Sequence, residues 1–167
     1  MPRSGPMPDV RSLDPEEWLT LRDIRLAALR ESPDLFLSTY EKERHYDEEK
    51  WRAEFTRGCW NVCFLSGEPA GLVGVTPDPD SPDDRRYLEY LWVAPDSRRL
   101  GVARHMLKIV LDRLRVAGIQ TALIWVLDGN DVAIRLYERV GFTRTHHREP
   151  LVARPGRSEE RLQMDLA

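Results

Sequence analysis

The chain has 167 residues, 41% hydrophobic and 32% charged, with 12 prolines and five tryptophans. That composition is ordinary for a soluble globular chain, and the length allows a core without metal or disulfide staples. A formal net charge of −3 argues against general nucleic-acid binding, which needs a basic surface to neutralise phosphates. No apolar run approaches the ~18 residues of a membrane span, and the opening "MPRSGPMPDV" lacks the apolar core of a secretory signal.

The expectation is a reduced, cytoplasmic protein with one domain over residues 9–167 behind a flexible, Pro/Gly/Ser-rich tail at residues 1–8. Asp14, Pro15 and Glu17 read as N-cap, first-turn proline and capping-box partner of a helix. Trp18, Leu21, Leu26 and Leu29 carry that helix to Glu31, and Pro33 stops it. "SPDLFLSTYEKERHYD" reads as irregular. A second helix follows Asp47, holds Trp51 and Phe55 on one face, and ends at Gly58.

The period then shifts to two. "CWNVCFLS" and "AGLVGVT" read as strands of a hairpin turning at Gly67-Glu68-Pro69. An acidic, proline-bearing loop (Pro77–Asp84) leads to the strand "RRYLEYLWV", and a helix of about five turns runs from the next stretch to Gly118. "IQTALIWVL" is apolar enough for a central strand covered on both faces. Asn130 caps a short helix to Val140, closed by Gly141, and "FTRTHHREP" and "EERLQMDLA" read as final strands joined at Pro155-Gly156. The order β-α-α-β-β-β-α-β-α-β-β makes this an α/β sheet with helices on both faces.

"VAPDSRRLGVARHML" (Val93–Leu107) places arginines and a glycine where the long helix begins. A helix N-terminus presents unpaired amides and partial positive charge. Gly101 lets the backbone approach a ligand closely, and arginines on the same turn suit phosphate. The turn therefore reads either as an anion cradle fit for pyrophosphate or as a plain helix start with solvated arginines. It contains neither G-K-[ST] nor G-x-G-x-x-G, so neither common nucleotide loop is present.

Here the chain resembles the GNAT superfamily of N-acetyltransferases. Arg98-Arg99-Leu100-Gly101-Val102-Ala103 fits the signature R/Q-x-x-G-x-G/A after a strand ending Val93-Ala94-Pro95. "NDVAIRLYERVGF" (Asn130–Phe142) fits the second coenzyme A segment, N-x-x-A-x-x-x-Y-x-x-x-G-F, and the likeness extends from about Asp9 to Leu166. Leu100 departs from the polar or basic residue frequent at its position. The resemblance implies the GNAT fold, a mixed and mostly antiparallel sheet splayed at the acetyl-CoA site.

It also implies bound acetyl-CoA as co-substrate, with no metal. The pyrophosphate would sit on the amides of Arg98, Arg99, Leu100, Gly101, Val102 and Ala103. Arg99, Arg104 or Lys108 would reach the phosphates, and pantetheine would pair with the strand edge at Leu91, Trp92 and Val93. Asn130 and Ala133 fall in the second segment, where Asn130 contacts pantetheine, caps the helix, or does both. A backbone amide near Val93 would meet the oxyanion. Glu89 is the candidate base, because an amine of pKa about 10.4 is only about one part in a few thousand neutral at pH 7. The alternative for Glu89 is a salt-bridged or solvated carboxylate. Tyr137 would protonate the departing thiolate, or is a packing aromatic.

Cys59 and Cys63 read as core residues of a strand, without a group to activate a thiol. His146 and His147, adjacent on a strand, point to opposite faces and cannot chelate one ion. The acceptor would enter between Pro33–Asp47, rich in aromatic and acidic groups, and Glu149–Ser158; there Arg148, Arg154 and Arg157 could instead greet a carboxylate. These cues conflict, leaving small amines and peptide amines both open. A homodimer is open from the family's habits alone. The competing classes are a catalytically silent coenzyme A sensor and, against the acidic charge, a nucleic-acid binder using the Arg98–Arg115 helix.

Overall fold

A computed structural model describes residues 8–167. The expected tail at residues 1–8 therefore lies, but for Pro8, outside the described residues. Seven strands form one sheet in the order β1-β2-β3-β4-β5-β7-β6. They are β1 (Asp9–Ser12), β2 (Cys59–Leu65), β3 (Glu68–Pro77), β4 (Arg85–Val93), β5 (Thr121–Leu127), β6 (Thr143–Pro150) and β7 (Ser158–Asp165). Every pairing is antiparallel except β4 with β5. The helices are α1 (Trp18–Glu31), α2 (Tyr40–Glu43), α3 (Glu48–Arg57), α4 (Val102–Val116) and α5 (Asp131–Val140).

Two apolar layers sandwich the sheet. On one face Leu21, Ile24 and Leu29 of α1 and Trp51 of α3 meet Trp60, Val62, Leu72 and Trp92. On the other, Val102, Met106, Leu107, Val110 and Leu111 of α4, with Ile134 and Tyr137 of α5, meet Val73, Val75, Leu88, Ala122, Ile124 and Leu162. The buried positions of α4 recur at i, i+4, i+5, i+8 and i+9, one stripe of a 3.6-residue helix.

The capping chemistry appears as the sequence implies. Asp14 accepts from the Glu16 amide and Glu17 reaches back to the Asp14 amide at 2.9 Å, across a short 3-10 turn that feeds α1. Asp47 caps α3 through the Lys50 amide at 2.9 Å, and Asn130 caps α5 through the Ala133 amide at 3.2 Å.

Several expectations need correction. The β2–β3 hairpin turns on Ser66 and Gly67, both at positive φ (52° and 83°), so Glu68 and Pro69 already belong to β3; a two-residue turn of that handedness matches strand twist. The segment read as irregular holds a 3-10 turn at Pro33–Leu35 and the one-turn helix α2, capped by Thr39. Helix α4 has 15 residues, about four turns rather than five. Cys63 is buried but Cys59, at the start of β2, is exposed. Strand β5 is buried on both faces from Ala122 to Ile124, but its C-terminal end, Ile124 to Leu127, lines an open cleft.

Candidate active site

Strands β4 and β5 pair only through Arg85–Thr121, Arg86–Ala122 and Tyr87–Leu123. From Leu88 onward β4 has no partner on that side, and the strands diverge into a cleft of about 950 Å³. A bulge in β4 helps make this edge. The β3–β4 register slips between Leu72 and Gly74, and Tyr90 takes φ +58°. An extra residue in one strand bends it and re-aims its side chains. Leu88, Leu91 and Val93 pack toward α4, whereas Tyr90 and Trp92 pack toward α1. The bulge thus sets Glu89 and Tyr90, neighbours in sequence, on the same α1 side of the strand.

Beyond the bulge, the Ala94 amide donates to the Ala70 carbonyl at 2.8 Å. Antiparallel alternation then turns the main-chain groups of Val93 away from β3 and into the gap. The Val93 carbonyl accepts from Arg98 Nε at 3.0 Å, leaving its N–H facing the cleft.

The turn after β4 supplies a second set of free donors. The Arg98 amide is taken by the Pro95 carbonyl and the His105 amide by the Gly101 carbonyl. Among the described residues, the amides of Arg99 through Arg104 have no acceptor. Arg99 and Gly101 reach this geometry at φ +63° and +79°. A Cβ on Gly101 would meet nothing within 4 Å, so glycine is required there for its backbone angle rather than for room within the protein.

The side chains of the signature divide. Arg98 is not a free cation: its Nη2 meets Glu31 Oε2 at 2.6 Å. Glu31 also accepts from Trp92 Nε1 at 2.9 Å and from the Ser32 hydroxyl. Arg98, then Ser32 and Trp92, hold the Glu31 carboxyl down at about 2, and this knot ties the end of α1 to the cradle. Val102 is buried in the core, so only its amide is available. Arg99 and Arg104 are exposed, while Lys108 is engaged by Asp112 at 2.8 Å. Leu100 is 67% exposed, so the departure at this position leaves the backbone cradle intact.

Glu89, Leu91, Trp92, Val93, Arg98, Ala103, Asn130, Ala133 and Tyr137 all line the cleft. Burial raises the Glu89 pKa, opposed by Arg57, by the Thr76 hydroxyl and by Arg25; one carboxylate oxygen is buried without a partner. Burial also raises the Tyr137 hydroxyl, whose ring meets Phe142 edge-on at 5.9 Å. A carboxyl that resists ionisation and a phenol that keeps its proton, beside an open strand edge, can accept and donate protons around a thioester.

Sequence reading missed two residues. Glu159 of β7 lines the cleft, and its carboxyl is raised by burial, by Glu149 and by Glu89. Arg25 of α1 is buried; its Nε and Nη2 each lie 2.9 Å from Glu43, and its guanidinium stacks 4.0 Å from the Tyr90 ring. An arginine on the buried stripe of α1 was the available signal.

Two of the three hairpin arginines, Arg148 and Arg154, are used elsewhere. Arg154 donates to the carbonyls of Pro33, Asp34 and Phe36, bridging the β6–β7 loop to the α1–α2 loop. Arg148 faces Asp128 and Glu160. His147 packs on Trp125 at 5.6 Å, while His146 lies toward Glu160. Among the described residues no metal-binding cluster occurs, and no helix is long and apolar enough to cross a membrane.

Comparison with known proteins agrees with this geometry. The model of the acetyltransferase (GNAT) family matches residues 18–142. Probable N-acetyltransferase camello of Xenopus tropicalis is 31% identical over 99 residues, 59% of this chain and 45% of that protein. Mycothiol acetyltransferase of Geodermatophilus obscurus is 35% identical over 68 residues, 41% of this chain and 22% of that protein. The matched stretches thus span less than half of these relatives. Among solved structures, a GNAT-family acetyltransferase of Streptococcus pneumoniae superposes with TM-score 0.79 at 15% identity, over 96% of this chain and 100% of that one. A Salmonella typhimurium protein solved with its cofactor acetyl-CoA gives 0.76 at 18% identity, over 96% and 94%. The family match and the splayed sheet place this chain in the GNAT family of acetyltransferases.

Proposed function

We propose that this chain binds acetyl-CoA in the β4–β5 cleft and moves the acetyl group to a primary amine by direct attack in a ternary complex. The observation that carries this reading is the unpaired β4 edge running into a turn of bare amides. An extended, hydrogen-bonding arm that ends in a doubly charged linkage would satisfy both. The amides of Arg99 to Arg104 take the pyrophosphate, with Arg99 and Arg104 adding charge from solvent. The open edge of β4 at Leu91, Trp92 and Val93 runs beside the pantetheine arm, and Asn130 and Ala133 border it on α5.

When bound, acetyl-CoA supplies an acetyl thioester. Glu89 accepts the proton of the incoming ammonium, directly or through water, so that the nitrogen lone pair is free. The Val93 N–H meets the oxyanion that develops on the acetyl carbonyl. Tyr137 presents a hydroxyl proton to the departing sulfur. A residue-by-residue division of labour follows, with the base on the α1 side and the acid on the α5 side.

Two measurements test this. Calorimetry should show acetyl-CoA binding that weakens when Gly101→Val distorts the cradle. A thiol-release screen of amines, amino acids and peptides should then find an acceptor. No heat of binding would remove the cofactor assignment, and binding with no acceptor would favour a catalytically silent coenzyme A sensor.

A further inference from the structure

Tyr90 holds a backbone angle of φ +58° inside a strand. That region is uncommon for any residue but glycine and an outlier for a bulky one, and it persists only where the surroundings fix it. Here the surroundings form a stack. The Tyr90 ring lies on Trp60 at 5.3 Å and 25°, and on Phe36 at 6.5 Å and 29°. The Arg25 guanidinium stands 4.0 Å from its centroid. Trp60 and Tyr90 both press on Gly74, where a Cβ would stand 3.2 Å from one ring and 3.4 Å from the other. Glycine inside a strand marks such a close approach, and Gly74 is the β3 partner of Glu89.

Arg25 is itself fixed. Its Nε and Nη2 each donate to Glu43 at 2.9 Å, and the two residues are only 4% and 6% exposed. A buried ion pair is a weak source of stability, since apolar side chains of similar volume often serve as well. Apolar residues cannot supply a flat cation against an aromatic ring. The two-bond pairing with Glu43 sets the plane of that cation. Glu43 belongs to α2, Arg25 to α1 and Tyr90 to β4, so the pair joins three elements at the β4 bulge.

Resting on the reading of Glu89 as the base, we infer that Arg25 and Glu43 are positioning residues for it. The pair braces the Tyr90 ring, the ring holds the bulge, and the bulge keeps the Glu89 carboxyl on the α1 side of β4. Neither residue takes or gives a proton. A bulge relaxed to regular pleating would return Glu89 and Tyr90 to opposite faces of the strand, and the carboxyl would leave its place.

The test compares the parent chain with Arg25→Met/Glu43→Leu and with Arg25→Lys. Arg25→Met alone would strand a buried carboxylate and endanger the fold, whereas the double variant removes both charges and keeps the volume. Arg25→Lys keeps the charge but loses both the fork and the plane. The Tyr90 φ is read from crystal structures and backbone chemical shifts of each variant, with no acceptor present. Thiol release with acetyl-CoA, and the amine of highest turnover in the screen above, gives kcat and both KM values. Misplacing a reacting group by about 1 Å costs up to ~100-fold in rate. The double variant should keep its Tm and its acetyl-CoA KM, lose the positive φ at Tyr90, and lose kcat by roughly ten- to a hundredfold. Arg25→Lys should lose kcat as well, although its charge remains.

Parent kcat in the folded double variant, an unchanged Tyr90 φ, or a loss confined to the acceptor KM would overturn the inference; the last would make the pair a binding wall. Full activity in Arg25→Lys would also overturn it, by assigning the effect to charge alone. If the double variant does not fold, Arg25→Lys decides by the same two readouts. If Glu89→Gln leaves turnover intact, or no amine releases thiol, the base reading fails, and the φ of Tyr90 alone decides whether the pair braces the bulge.

Discussion

Replacing Glu89 by glutamine should move turnover and stability in opposite directions. The side chain is largely buried, one oxygen has no partner, and burial raises its pKa above the ordinary 4.5. An unpaired buried polar group costs about 1–3 kcal/mol. Arg57 and Arg25 offset part of this for the ionised form, and a neutral amide recovers on the order of 1 kcal/mol. For a chain of this size that is a Tm rise of roughly 2–4 °C. Because the folded carboxyl holds its proton more tightly than the unfolded one, the penalty is absent at low pH and grows as pH rises through the raised value. The gain should therefore appear at pH 7.5 and vanish near pH 4, as read by calorimetric scans. Removing a general base lowers kcat by about 10²–10⁴, and the ascending limb of the pH profile of kcat/KM should disappear with it. Unchanged kcat/KM, or turnover and Tm falling together at pH 7.5, would refute the reasoning.

Tyr137→Phe keeps the ring against Phe142, so Tm should hold while kcat falls by at least tenfold, the lower side of what a lost proton donor removes; stopped-flow thiol release reads it. Arg154→Ala frees the carbonyls of Pro33, Asp34 and Phe36 and should raise the acceptor KM severalfold, with the acetyl-CoA KM unchanged in steady-state kinetics. Glu31 is held down at about 2 by Arg98. Its stabilisation is present above the unfolded value of 4.5 and is lost as pH falls toward 2. Glu31→Gln should lower Tm at pH 7, with the gap to the parent chain closing over that acidic interval.

Local chemistry carried much of the reading. Caps at Asp14, Asp47 and Asn130, the periodicity of α4 and the β2 and β3 runs depend on neighbours within a few residues, and those are written in order along the chain. The turn at Arg98–Ala103 was legible for the same reason: a glycine at a helix start implies free amides wherever that helix packs. The short helix α2 was not, because a single turn has too little propensity to outweigh its flanks.

What the sequence determined by itself was the longer helices and strands, the family signatures and the charge balance that disfavours a nucleic-acid surface. Tertiary structure alone decided the rest. Insertion of β7 between β5 and β6 brought Glu159 to the cleft from near the chain's end. The bulge at Tyr90 set Glu89 and Tyr90 on one side of β4, with the Tyr90 ring against Arg25, and the Arg154 contacts withdrew the hairpin arginine that had seemed suited to an acceptor carboxylate. Each of these is a pairing across a large separation in the chain, and such pairings follow from strand register and packing, which no local pattern encodes.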